Sequence, residues 1–322
     1  MQVAAPASAC ACGGLATPVD VQTTVTGERA IVSLKDGVQT IDLLLDLLST
    51  GQESGLVIPT PGPAEVSKGD RGLFDTLEAN IAPKPEYVED WWGFDGLGSG
   101  SDNGVEVLDS VTIGPVEATT LAASDTAGLT AWLRDNGYAL SSATRSLLPH
   151  YVSAGWSFVA VKLAASETLD GSIDPIRLTF PTEEYVYPML LSQPAEEAQR
   201  LRLYILDDKK MDVAKAVALP KDEGPLNAAR KTVWAGPVTD PGLTPLGRYL
   251  TVIDLRFDVP AQQIVTDIAI VESTSTDDLI PTIEVVRPVT VLGIPLGSLI
   301  VGWSLIGLLL LFGALIARTR TR

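Results

Sequence analysis

The side chains able to do chemistry are few and scattered. His150 is the one histidine in 322 residues, and the one side chain that titrates near neutrality unaided. As a general base it needs an orienting carboxylate and a nucleophile, and no motif around it supplies them. It follows Pro149 near the end of a short predicted helix, where an imidazole can equally complement the helix dipole. Cys10 and Cys12 form a C-x-C pair, the chain's two cysteines. Such a pair can ligate a soft metal or close a short disulfide. A closed metal site would need carboxylates or a second chain, so the thiols read first as oxidised or capped, with lipidation of Cys10 as the other possibility.

Asp90, Asp95, Asp102, Asn103 and Glu106 offer oxygen ligands for a weak calcium site, but their spacing is not that of an EF-hand. They read as a solvated acidic loop. Gly96-Leu97-Gly98-Ser99-Gly100 lacks the lysine and the strand-to-helix setting of a phosphate loop and reads as a linker. Neither G-x-S-x-G nor H-E-x-x-H occurs. No catalytic residue, metal or cofactor is therefore assigned, and an exported hydrolase using an acid pair or His150 is the alternative reading. Trp91 and Trp92, with Tyr87 and Phe94 beside them, are the binding candidates. They form either a contact surface or a lid folded on the sheet.

The formal net charge of −17, with 40 acidic against 23 basic residues, excludes a nucleic-acid binder with a basic face. Yet the mean hydropathy is positive at +0.23. The excess sits at one end, because Val289–Ala317 contains no charged residue. Residues 295–317 match the thickness of a bilayer core as a helix. Arg318, Arg320 and Arg322 follow, which places the C-terminus in the cytoplasm and the acidic remainder outside. Gly293 with Gly297, and Ser298 with Gly302, are small-xxx-small pairs for packing against a second copy or another membrane protein. Ala7-Ser8-Ala9 before Cys10 looks like the end of a signal peptide. If Met1 is the true start, intracellular tail anchoring is the third reading.

The elements between these ends are mainly strands. Ala30–Leu34 and Thr40–Leu43 alternate around Asp36-Gly37, a hairpin signal. Leu56–Ile58 begins a strand that ends in a proline-rich turn. Gly72–Asn80 reads as a helix with Leu73, Phe74 and Leu77 on one face. Residues 81–104 read as a long loop, and Val105–Leu121 as strands. A helix over Ala127–Asn136 is capped by Ser124 or Asp125 and stopped by Gly137. A second runs over Ser142–Ser153, disturbed by Pro149 and ended by Gly155. Further strands cover Trp156–Leu163, Ile176–Phe180, Leu201–Leu206, Tyr249–Phe257 and Ile264–Val271. The class is α+β: a largely antiparallel sheet domain with a few short helices, plus one C-terminal transmembrane helix.

Several blocks resemble the domain-of-unknown-function 2330 family, which is bacterial and largely actinobacterial. They include Cys12-Gly13-Gly14, Gly27-Glu28-Arg29-Ala30, Leu56 through Val66, Ala131 through Tyr138, Tyr151 through Leu163, and Pro175 through Thr182 with Val186-Tyr187-Pro188. The likeness implies an exported, often membrane-anchored protein and supplies no catalytic residue. The expected organisation is a signal-peptide remnant at 1–9, an exported domain at 10–280 and a stalk at 281–294. The membrane helix at 295–317 and a basic tail at 318–322 complete it. The expected function is a cell-envelope binding or assembly module, possible accessory to a membrane complex, with membrane and membrane protein as partners and no nucleic acid.

Overall fold

The computed structural model describes residues 9–10, 13–18, 21–91, 117–122, 125–164, 169–214, 230–291 and 294–320, with side chains for all of these but 9–10, 117 and 313–320. The chain divides into two compact units, Met1–Ile81 with Val107–Ile280, and Ala82–Glu106 with Pro281–Arg322.

The first unit begins with β1 (Ala9–Cys10), β2 (Gly13–Ala16), β3 (Thr23–Lys35), β4 (Val38–Ser49), β5 (Glu53–Thr60) and β6 (Glu65–Lys68). Helix α1 (Arg71–Ile81) follows, and β7 (Lys84–Asp90) belongs to the second unit. The first unit resumes with β8 (Glu117–Ala122), α2 (Thr126–Asp135), α3 (Ser142–Arg145), α4 (Leu148–Ser153) and β9 (Ser157–Ala164). Next come β10 (Asp170–Ser172), β11 (Ile176–Pro181), β12 (Val186–Tyr187), a 3₁₀ turn (Leu190–Ser192), β13 (Gln199–Asp207) and β14 (Met211–Ala214). β15 (Arg230–Pro237), β16 (Tyr249–Phe257), α5 (Pro260–Gln263) and β17 (Ile268–Glu272) complete it.

These strands make an eight-stranded sheet in the order β15-β16-β13-β3-β4-β11-β6, with β10 also on β4. A five-stranded sheet, β1-β2-β5-β9-β8, and a three-stranded one, β12-β17-β14, accompany it. Among these described pairings only β13 with β3 is parallel. The α+β class and its mainly antiparallel strands thus stand as expected.

The hairpin β3–β4 turns at Asp36 and Gly37 with φ of 51° and 75°. Two successive positive φ values define the tight turn whose twist matches its strands, and Gly37 adopts its value without a side-chain clash. Alternation then sorts the side chains by face. On β4, Leu43, Leu45 and Leu47 enter the core between the large sheet and the smaller ones, while Leu44 faces the other way. Leu56 and Ile58 of β5, and Val159 and Val161 of β9, meet them from the five-stranded sheet. The reverse face of that sheet, including Val57, Phe158 and Ala160, is covered by Leu129 and Leu133 of α2 and by Leu148 and Tyr151 of α4. The reverse face of the large sheet receives Phe74 and Leu77 of α1 against Ile31, Leu44, Tyr204 and Val252. The result is a layered arrangement: helix, large sheet, smaller sheets, helices.

Local expectations fare unevenly. α1 has the expected buried face, and α2 is capped by Asp125, whose carboxylate accepts from Gly128 N at 2.7 Å. The single helix expected over Ser142–Ser153 is instead two short helices, α3 and α4. Pro149 lies in the first turn of α4, where its missing N–H is harmless, so it starts a helix rather than bending one. The strand expected from Ile264 begins at Ile268, because Ile264 caps α5. Of the strands expected over Val105–Leu121, residues 105–116 lie outside the described ones.

In the second unit, the expected loop contains β7, which runs parallel to β18 (Thr282–Pro288) in the register Tyr87 to Val285. Its partner is supplied from the far end of the chain, so a local window carries no sign of it. β19 (Thr290–Val291) and β20 (Ile294–Pro295) lead into α6 (Leu296–Arg320), a helix of 25 residues. Among the described residues, whose side chains in α6 end at Phe312, no helix is long and apolar enough to cross a membrane.

Candidate functional site

The outer face of the eight-stranded sheet is apolar where α1 covers it and cationic beyond. Phe74 and Leu77 seat α1 on the sheet, and this brings Glu78 to the border between the two regions. There Tyr204 Oη donates to Glu78 Oε1, and Arg202 Nη1 lies 3.6 Å from the same oxygen. Burial first, and then the Glu78 carboxylate, push the Tyr204 hydroxyl well above its usual range, so it remains a donor.

Past this border lies a hollow of 430 Å³ lined by Arg29, Arg200, Arg202, Lys231 and Arg256, with Asp46 and Asp254 among them. β-alternation aims these residues outward, since their neighbours Ala30, Leu201, Leu203 and Leu255 face the inner core. Strand register brings them together: Arg202 pairs with Asp254 and Arg200 with Arg256 across β13–β16, Arg29 with Arg202 across β3–β13, and Lys231 with Asp254 across β15–β16. The Arg202 guanidinium holds Asp254 through two hydrogen bonds, at 2.6 and 2.9 Å. That bond raises the Arg202 pKa further, outweighing the opposing effect of burial. Arg29 reaches Asp46 at 3.4 Å, and Arg256 reaches Asp258 at 2.6 Å. The side chains of Arg200 and Lys231 have no ion pair or hydrogen bond among the described residues.

Gly27 lies on the floor, beside a bulge in β3 between Val25 and Gly27. A Cβ there would stand 3.0 Å from Asp46 Oδ2, so a side chain would displace the carboxylate that meets Arg29. The arrangement can take an anion in bidentate, charge-assisted hydrogen bonds. Among its described lining residues there is no Ser, Thr, Cys or His. A second hollow, of 450 Å³, is bordered by Leu133, Tyr138, Leu140, Arg134 and Arg145 and has fewer converging charges.

Other ionisable groups inside the domain are already partnered. Asp267 Oδ1 accepts from Tyr151 Oη at 2.5 Å and from the backbone of Met189 and Leu190 at 2.7 and 2.9 Å. Asp42 holds Arg177 at 2.8 and 2.9 Å. Tyr187 Oη donates to Glu28 Oε1.

The residues singled out from sequence do not gather here. His150 is exposed on α4, its ring edge-on to Tyr151 at 5.3 Å, with no ring hydrogen bond or ion pair among the described residues. Trp91 is 56% exposed just after β7, and Tyr87 on that strand lies under the Arg287 guanidinium, 3.4 Å from the ring centre. Trp92, Phe94, Asp95, Asp102, Asn103, Glu106, the glycine-rich segment, Cys12 and Gly293 lie outside the described residues. Cys10 pairs with Gly13 in β1–β2. Gly297, Ser298 and Gly302 occupy the first two turns of α6, where Gly302 meets open space. Among the described residues no three His, Cys, Asp or Glu side chains gather to hold a metal.

The arginine hollow is not visible locally because its five cations come from four strands spread along the chain. The legible signal was charge at alternating positions in otherwise apolar strands, as in Arg200-Leu201-Arg202 and Asp254-Leu255-Arg256.

No curated protein matches the chain. Among solved structures, baculovirus P35 is similar at 11% identity and a TM-score of 0.39, over 80% of this chain and 98% of that one. The caspase-8/P35 complex is similar at 6% identity and a TM-score of 0.29, over 77% and 96%. Likenesses this distant carry no inference about what this chain does. Residues 6–271 match the bacterial family described as "Uncharacterized protein conserved in bacteria (DUF2330)", and the chain belongs to that family.

Proposed function

We propose that the chain is a cell-envelope protein anchored by α6, which displays the α+β domain outside the membrane as a binding module. The observation that carries this reading is the apolar surface of α6. Trp303, Leu305, Leu308, Leu309, Leu310, Leu311 and Phe312 are all more than half exposed, and Leu309 reaches 72%. Water would meet apolar side chains on every side of this helix, which a lipid phase removes. The backbone helix of 25 residues is about 37 Å long at ~1.5 Å per residue. That exceeds the ~30 Å hydrocarbon thickness. The basic tail supports an inside C-terminus and hence an outside domain. The arginine hollow supports binding rather than catalysis.

Fractionation of the native cells tests the anchor. The wild-type chain is expected to stay in the membrane pellet through alkaline carbonate washing and to leave it with detergent. Changing Leu309→Arg together with Leu310→Arg is expected to shift the chain to the wash. A wild-type chain recovered without detergent overturns the anchor.

A further inference from the structure

We infer that the hollow on the outer face of the eight-stranded sheet binds a dianionic phosphoryl group, carried by a phosphate ester such as glycerol phosphate. The assignment rests on the reading of this domain as a binding module and names the class of its ligand.

The first argument is the arrangement of like charges. Arg200 stands directly opposite Arg256 on the neighbouring strand, and Arg29 opposite Arg202. Like charges in facing positions destabilise a sheet. A chain with 40 acidic residues does not lack carboxylates to separate them. An anion seated between the guanidiniums removes this repulsion and uses their forks.

The second argument is the amount of charge left over. Asp254 engages Arg202, Asp46 engages Arg29 and Asp258 engages Arg256. Glu78 also stands 3.6 Å from Arg202, and Arg200 and Lys231 are the two cations of the hollow whose side chains make no ion pair among the described residues. A monocarboxylate would leave one of them unmatched, whereas a phosphate monoester carries close to two negative charges near neutral pH. The third argument is size. At 430 Å³ the hollow is far larger than a bare ion and lies within the range of small-molecule sites. It has room for the phosphoryl group and the small polyol that bears it. The net charge of −17 repels anions at long range, so capture depends on these short-range contacts.

The chemistry is shared by the monoester headgroup of phosphatidic acid and by a soluble phosphate monoester, and titration calorimetry on the full chain in neutral detergent separates them. Glycerol 3-phosphate is the probe, with acetate as the comparison. Saturable binding of the probe is expected. Arg200→Gln and Lys231→Gln are each expected to weaken it about tenfold or more, the loss of one charge-assisted bond. Arg256→Lys, which keeps the charge and loses the fork, should fall between wild type and Arg256→Gln. Lys209→Gln, remote from the hollow, should bind as wild type does and controls for folding. Repeating the titration in micelles containing phosphatidic acid, whose headgroup is a phosphate monoester, assigns the source. A reduced apparent affinity identifies the lipid headgroup, and an unchanged one identifies the soluble ester. Absence of saturable binding, acetate binding as tightly as the probe, or glutamine variants that bind like wild type would each overturn the assignment. A chain that stays in the membrane pellet yet ignores the probe removes this assignment alone. One that binds the probe yet fractionates as soluble removes only the anchor.

Discussion

Two arginine–aspartate pairs lie on the same face of the same sheet and do different things. Asp42 and Arg177 face each other across β4 and β11 with two hydrogen bonds, and the Asp42 carboxylate is sealed at 1% exposure while Arg177 is 31% exposed. Asp254 and Arg202 face each other across β16 and β13 with equally short bonds, at 39% and 33% exposure. Bond length does not separate a structural pair from a ligand site. What separates them is the surroundings. The Asp42 pair closes on itself, with Gly69 so near that a Cβ would fall 2.8 Å from Asp42 Oδ1. The Asp254 pair is bordered by Arg200 and Lys231, whose side chains make no ion pair among the described residues, and by open volume. A matched, sealed pair stabilises the fold, and an unmatched, open one is available to a ligand.

The largest expected effect comes from breaking the sealed pair. Arg177→Ala leaves the Asp42 carboxylate buried without its partner and should destabilise the domain by about 3 kcal/mol, measured by urea unfolding. Its pH dependence sharpens the point. Burial pushes the Asp42 carboxyl above its usual value against the pull of Arg177. The folded state therefore holds this proton more tightly than the unfolded chain does. The group's contribution to stability is complete below the unfolded pKa of ~3.9 and is lost as pH rises through the raised folded value. Removing Arg177 raises that value further. The deficit of the variant should thus be larger at pH 7 than at pH 5, and an equal deficit at both would show that the buried charge is not its cause.

Next in size is Tyr151→Phe, at the other sealed carboxylate. It removes one of three donors to Asp267 while keeping the ring among Trp156 and Phe158. A loss of about 2 kcal/mol is expected, with little change in m-value. A shift of the urea midpoint too small to resolve would mean that the two backbone donors suffice. The smallest effect belongs to the open region. Arg200→Gln should change stability by less than ~0.5 kcal/mol, with the sign stabilising, because repulsion from Arg256 is relieved. A large destabilisation by this variant would erase the distinction between the two regions and make Arg200 a structural residue.

Much of the local structure is written in short stretches. The Asp36-Gly37 turn, the helix with Phe74 and Leu77 on one face and the helix starting after Asp125 are each encoded within a few residues. Backbone conformation and side-chain periodicity act over that distance. The site was not legible in the same way. His150, Trp91, Trp92 and the cysteines stand out in the sequence because their chemistry is rare. The arginines of β3, β13 and β16 look, one at a time, like ordinary solvated positions on half-buried strands. β7 escaped for a related reason, since its partner β18 is supplied from the other end of the chain.

The sequence by itself determined the α+β class, the hairpin turn, the positions of strands such as β3, β4, β9, β13 and β16, and the concentration of apolar residues at one end. All of these follow from composition or from patterns with periods of two and 3.6 residues. Only the tertiary structure decided that β3 lies parallel to β13 and β13 beside β16. That pairing sets Arg29 against Arg202 and Arg200 against Arg256. The physical reason is that register is chosen by the match of buried apolar faces between distant strands, such as Ala30 and Val32 beside Leu203 and Ile205. The charges on the opposite face are carried into position by that match, so their meeting appears only once the core is assembled.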